Sequence, residues 1–145
     1  MPPPPIAPPP IVVDGDIASL IASGELRKRF QKAGKGTVLE LKDDNLEELG
    51  GADDEDGVFE ECGNITSVDL RGCPKLKSIG KYAFYKCSSL TAITIPDGVT
   101  SIGEYAFNGC SSLTAITIPD GVTSIGGYAF NGCSSLTAIT IPDGV

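Results

Sequence analysis

The sequence predicts an α/β repeat solenoid, with short parallel strands stacked coil on coil, little helix inside the repeats and a helical cap at the N-terminal end. Three observations carry this prediction. Cys87 to Gly109 and Cys110 to Gly132 are both 23 residues long and differ only at Glu104 versus Gly127. Within each stretch the apolar residues recur as Leu-x-x-Ile-x-Ile-Pro, then Val-x-x-Ile-Gly, then Ala-Phe-x-x-Cys. The composition, 18 Gly and 11 Pro with no Trp and no His in 145 residues, suits a turn-rich repeat better than a mixed enzyme core.

Each part of the repeat follows from its residues. Ile93 and Ile95 alternate with polar neighbours, as a half-buried strand requires, and Thr and Ile favour extended backbone. Pro96 cannot donate to a ladder and ends the strand, and Asp97-Gly98 supplies the turn. Val99 and Ile102 bring the chain back inward through a second extended segment. Gly103 then permits a bend before a brief helical turn that buries Ala106 and Phe107, and Asn108-Gly109 closes the coil. No coil can bury this apolar set alone, so successive coils must stack at roughly 4.8 Å. Stacking places Phe84, Phe107 and Phe130 in one column, Ile93, Ile116 and Ile139 in a second, and Cys87, Cys110 and Cys133 in a third.

The domain reading runs outward from the two near-identical coils. Residues 62–145 form the repeats, beginning with a diverged coil of 25 residues, Cys62 to Lys86, and ending with a copy that stops at Val145 after 13 positions. Residues 36–61 read as a degenerate first coil, with Leu39, Leu41, Leu49 and Phe59 on Val68, Leu70, Ile79 and Phe84, and with an acidic insertion from Ala52 to Gly57. Residues 16–35 read as a helical cap with Asp16 at the N-cap and a break at Gly24. A second reading makes Arg27, Lys28, Arg29 and Lys32 the polar face of a basic helix for a partner or membrane surface. Residues 1–15 read as a Pro-rich disordered tail, whose PPPPIAPPP could alternatively dock in an aromatic groove.

The quoted repeat, IPDGVTSIGEYAFNGCSSLTAI, resembles the leucine-rich-repeat superfamily and specifically its BspA-like subfamily. The resemblance covers residues 62–145 well and 36–61 weakly. It implies a right-handed, curved solenoid used for protein recognition, often on cell surfaces or in adhesion.

Composition narrows the function. The net charge of −8 lies in the N-terminal part, where residues 1–61 hold fourteen acids and six bases while residues 62–145 hold five of each. Such a chain repels phosphate backbones, so no nucleic acid is expected as a partner. Without histidine the commonest general base and metal ligand are missing, and no enzyme, cofactor or metal is expected. Asp54, Asp56 and Gly57 match early positions of a calcium loop, but Ala52 and Gly63 stand where its first Asp and its bidentate Glu belong. GKGT at 34–37 lacks the earlier glycine of a phosphate loop and reads as a turn. Asn64-Ile65-Thr66 has the form of a glycosylation acceptor but reads as a turn, because no signal peptide precedes it and a cytoplasmic location is favoured. No stretch has the length of a membrane span.

Cys62, Cys87, Cys110 and Cys133 recur once per coil and read as buried free thiols, whereas Cys73 falls in an irregular loop and reads as the exposed, reactive one. The residues expected to face outward from the concave sheet are Ser67, Asp69, Ala92, Thr94, Ala115, Thr117, Ala138 and Thr140. They form the predicted protein-contact site of a non-catalytic interaction module, for a protein partner that the sequence does not name. The acidic insertion and Lys75, Lys77, Lys81 and Lys86 are expected to add selectivity. The alternative is a fragment of a cell-surface or adhesive repeat protein. An unfinished last coil is expected to continue in a longer product or to self-associate.

Overall fold

A computed structural model of the chain describes residues 9–50 and 57–145. The proline run at 1–8 and the insertion residues 52–56 lie outside the described residues. Two parallel sheets run along the molecule. Sheet A is built from β1 (Ile11–Asp14), β2 (Thr37–Lys42), β4 (Ile65–Gly72), β6 (Ala92–Thr94) and β8 (Ala115–Ile116), in that spatial order. Sheet B is built from β3 (Glu48–Leu49), β5 (Ser78–Ile79), β7 (Ser101–Ile102) and β9 (Ser124–Ile125). Each coil from β2 to β9 thus contributes one strand to each sheet, and the register sets Val68 beside Ile93 and Ile93 beside Ile116. In the coil before them Leu39 pairs with Val68 and Leu49 with Ile79.

The third side of each coil is also hydrogen-bonded to its neighbour. Its alternate N–H groups reach the next coil, Tyr82 to Glu104, Phe84 to Ala106 and Lys86 to Asn108 at 2.8–3.0 Å, and the set repeats from Tyr105, Phe107 and Gly109. The brief helical turn expected at Ala106-Phe107 is instead a series of tight turns. Tyr82, Tyr105 and Tyr128 sit at φ of 58–59°, Lys86, Gly109 and Gly132 are left-handed at the far end of the same segments, and these residues prevent a helix from propagating. Gly103 has a steric role here. A Cβ built on it would lie 2.7 Å from the backbone nitrogen of Lys81 in the preceding coil, so only glycine permits this approach.

The core between these walls holds the expected columns. Phe59, Phe84, Phe107 and Phe130 stack at centroid distances of 5.3–5.5 Å. Phe30 extends the column by meeting Phe59 edge-on at 5.8 Å. It comes from α2 (Glu25–Gln31), which follows α1 (Ile17–Ala22) across a left-handed Gly24 at φ 73°. Asp16 caps α1 by accepting from the Ser19 N–H at 3.2 Å, and Asp43 accepts from the Ile17 N–H at 3.0 Å. The helices bury Ile17, Leu26 and Phe30 and leave Ser19, Lys28, Arg29 and Lys32 exposed. Together with β1 they make a first turn of the stack in which helix replaces the sheet B strand.

The tail expected over 1–15 is corrected by β1. Ile11 to Asp14 pairs in parallel with Leu39 to Lys42, and Val13 is buried. The N-terminal proline run ends at Pro10, so each residue from Ile11 to Asp14 can donate, and Ile11 and Val13 supply the alternation an edge strand needs.

Candidate protein-contact surface

The pleat of sheet A sends alternate residues outward, and the register lines them into rows that cross the strands. One row runs Val38, Ser67, Ala92 and Ala115, and the next runs Val12, Glu40, Asp69 and Thr94. Ala92, Thr94, Ala115, Thr117, Ala138 and Thr140 are exposed, and Ser67 and Asp69 are half-buried. Ala138 and Thr140 follow the last strand of the ladder, which ends with β8, so they lie beyond the paired sheet.

Sequence reasoning missed the N-terminal half of this face. Val38 and Glu40 could have been assigned from the alignment of Leu39 with Val68, which fixes their alternation. Val12 and Asp14 were hidden because the preceding prolines mask the short strand that carries them. These additions change the chemistry of the face. Glu40 lies opposite Asp69 on adjacent strands, a like-charged arrangement that costs stability. Arg71 relieves it with a bidentate clasp of Asp69, Nη2 to Oδ2 at 2.8 Å and Nε to Oδ1 at 3.1 Å. Hydrogen bonding by the Arg71 side chain is the main reason that the Asp69 carboxyl titrates below its ordinary value.

A line of hydroxyls braces the strand entries. Thr66 Oγ1 donates to the Thr37 carbonyl at 3.2 Å, Thr91 Oγ1 to the Thr66 carbonyl at 2.9 Å, and Thr114 Oγ1 to the Thr91 carbonyl at 3.3 Å. Asn64, in the acceptor-like triplet, donates through its side-chain amide to the Ala33 carbonyl at 2.9 Å. That amide serves as a clip between coils.

The structure does not gather the four lysines on this face. Lys77 approaches Glu47 at 3.8 Å beside sheet B. Lys81 and Lys86 approach Glu104 and Glu61 at 3.9 Å along the third side. Lys75 is exposed in the loop between β4 and β5.

The cysteines also differ from expectation at one place. Cys73 is fully buried, its thiol 3.6 Å from the Leu41 carbonyl, and the loop that carries it folds inward. Burial raises its pKa, so it is not the reactive sulfur. The repeating thiols donate across coils, Cys87 to the Phe59 carbonyl at 3.1 Å, Cys110 to that of Phe84 and Cys133 to that of Phe107 at 3.2 Å. Desolvation pushes Cys62 and Cys110 up to about 12.

The comparisons with known proteins agree with this geometry. The family model for the BspA-type leucine-rich-repeat region matches residues 55–145 in six copies. The chain belongs to that family. A solved leucine-rich-repeat protein of T. pallidum is 30% identical with a TM-score of 0.64, covering 74% of this chain and 46% of its own. A leucine-rich-repeat protein of Bacteroides ovatus is 38% identical with a TM-score of 0.60, covering 69% of this chain and 24% of its own. This BspA-type chain therefore spans less than half the length of either solved relative. Among curated proteins none matches it. No helix among the described residues is long and apolar enough to cross a membrane.

Proposed function

We propose that the chain is a non-catalytic protein-interaction module whose partner lies across the outer face of sheet A. Contact runs over Ser67, Asp69, Ala92, Thr94, Ala115 and Thr117, with Ala138 and Thr140 beyond the last paired strand. The observation that carries the reading is the register. It brings the outward residues of successive coils side by side while their neighbours in sequence build the core. The near-identical coils offer small, uncharged side chains and supply area. The Glu40, Asp69 and Arg71 group supplies the one chemically distinctive spot, and so fixes how the partner sits. In this reading α1 and α2 cap the first coil, because they cover apolar side chains that a terminal coil would otherwise leave open.

The lengths of the two solved relatives favour a second reading, in which the same face belongs to a longer cell-surface or adhesive array. Both readings use sheet A. The test is site-specific photocrosslinking in the native cell, with the crosslinker at Thr94 or Thr117 and, as reference, at Ser101 on sheet B. The reading expects one discrete protein adduct from the sheet A positions and none from Ser101. Equal labelling from both walls would sink it.

A further inference from the structure

Tyr82, Tyr105 and Tyr128 recur every 23 residues and form a second aromatic row. Tyr82 and Tyr105 are half-buried, whereas Phe84 and Phe107, next but one along the chain, are fully buried, so this row lies outside the core. Its rings are stacked, Tyr82 on Tyr105 at 5.0 Å and 12°, and Tyr105 on Tyr128 at 5.1 Å and 14°. Tyr85 stands differently. It lies 5.2 Å from Tyr82 and 6.4 Å from Tyr105, with its plane at 84–85° to both.

The backbone fixes the row in place. The Tyr82 N–H donates to the Glu104 carbonyl and the Tyr105 N–H to that of Gly127, both at 3.0 Å, and the three residues share the same left-handed φ. Glycine would take that conformation at no steric cost, yet three coils carry a phenol there.

Parallel phenols at this spacing are set for one reaction. A one-electron oxidant takes an electron and a proton from a phenol, and the resulting radical places spin on the ring carbons ortho to the oxygen. The orbital holding that spin is perpendicular to the ring. Stacked rings therefore point these orbitals at each other, while in the perpendicular pairs made by Tyr85 they are crossed. The thiols compete poorly for a peroxide, because Cys62, Cys87 and Cys110 are buried and burial raises their pKa.

We propose that the tyrosine row is a site of oxidative cross-linking, in which Tyr105 is joined ortho carbon to ortho carbon with Tyr82 or Tyr128 by a haem peroxidase and hydrogen peroxide. Each phenol gives up one electron and one proton, and the two radicals form the carbon–carbon bond. The two displaced ring hydrogens then move to the oxygens and restore both phenols. The two electrons and two protons reduce the peroxide to two waters. The bond fastens neighbouring coils by closing a 23-residue loop, which restricts the unfolded chain.

The experiment treats the dilute 145-residue chain with a haem peroxidase and hydrogen peroxide, then maps the peptides of the monomer fraction by mass spectrometry. The expected product is a monomer lighter by two hydrogens, with Tyr105 linked to Tyr82 or Tyr128, and with a higher urea midpoint than the untreated chain. Tyr105→Phe, which keeps the ring, should lower its yield at least tenfold, and Tyr85→Phe should leave the yield unchanged, with the far-ultraviolet circular dichroism of both variants that of the wild type. The wild-type map is decisive even without the variants. Linkage through Tyr85, coupling only between chains, no coupling at all, a product that survives Tyr105→Phe or an unmoved urea midpoint each overturn the proposal.

Discussion

The ring of Phe84 lies over the ring of Phe107 with centroids 5.3 Å apart and planes within 5° of parallel. The 23-residue repeat makes this relation recur, and Phe107 therefore has a ring above and a ring below. Phe107→Ala removes both stacks from a fully buried site, with an expected cost of ~3–5 kcal/mol. Phe130→Ala, at a half-buried ring with one stacking neighbour, should cost clearly less. Urea unfolding followed by circular dichroism compares the two; equal losses would mean that the column does not transmit packing between coils.

The thiols predict a pH dependence. Cys62 and Cys110 titrate near 12 in the fold, against an ordinary 9.0, because burial disfavours the thiolate. The folded state then holds protons that the unfolded chain releases above pH 9, so stability must fall as pH rises. The contribution is complete below about pH 9 and is lost towards pH 12, at up to about 1.4 kcal/mol per pH unit for each thiol. Urea midpoints of the wild type and of Cys110→Ala between pH 8 and pH 11 check this. The variant should show the shallower decline, and parallel slopes would assign the loss to other groups.

Much of this fold was legible because a repeat states each constraint several times. Phe84, Phe107 and Phe130 fix a column by recurrence alone, and the alternation of Ile93 and Ile95 fixes which side of the strand faces out. Legibility failed where recurrence failed. Ile11–Asp14 forms a strand in a segment opened by prolines, and its partner β2 lies more than twenty residues away, so no local pattern announced it. Cys73 is not repeated in the loops of the other coils, and its inward turn depends on the Leu41 carbonyl of another coil. The contact face was half legible for the same reason. Its repeated rows were assigned, while the charged group of Glu40, Asp69 and Arg71 belongs to the diverged coils.

The glycine that begins the third side should be intolerant of any side chain. A Cβ at Gly103 would meet the Lys81 backbone nitrogen at 2.7 Å, and backbone cannot swing aside as a flexible side chain can. Gly103→Ala should therefore cost about 1–3 kcal/mol through forced separation of coils. Gly121→Ala is the control, since its nearest non-local atom would be 3.6 Å away, an ordinary contact. Thermal unfolding of the two variants distinguishes close coil stacking from a general aversion to alanine; similar midpoints would refute the steric account.

The clasp between Arg71 and Asp69 makes a prediction that stability measurements would miss. Arg71 hydrogen bonds favour the ionised carboxylate, so the folded Asp69 pKa lies below 3.8, and the associated stability is present above that value and lost as pH falls through the folded pKa. Arg71→Ala removes the donor and leaves Asp69 opposite Glu40 without relief. Two effects then act in one direction, because the loss of the guanidinium hydrogen bonds and the desolvation that remains both disfavour the anion. The Asp69 pKa should rise to or above the ordinary carboxyl value, while Arg71→Lys, which keeps the charge but not the fork, should give an intermediate value. A carbon-detected NMR titration of the Asp69 carboxyl reads this directly. An unmoved titration in Arg71→Ala would show that the clasp does not hold the carboxylate in solution, and the face would lose its one fixed anchor.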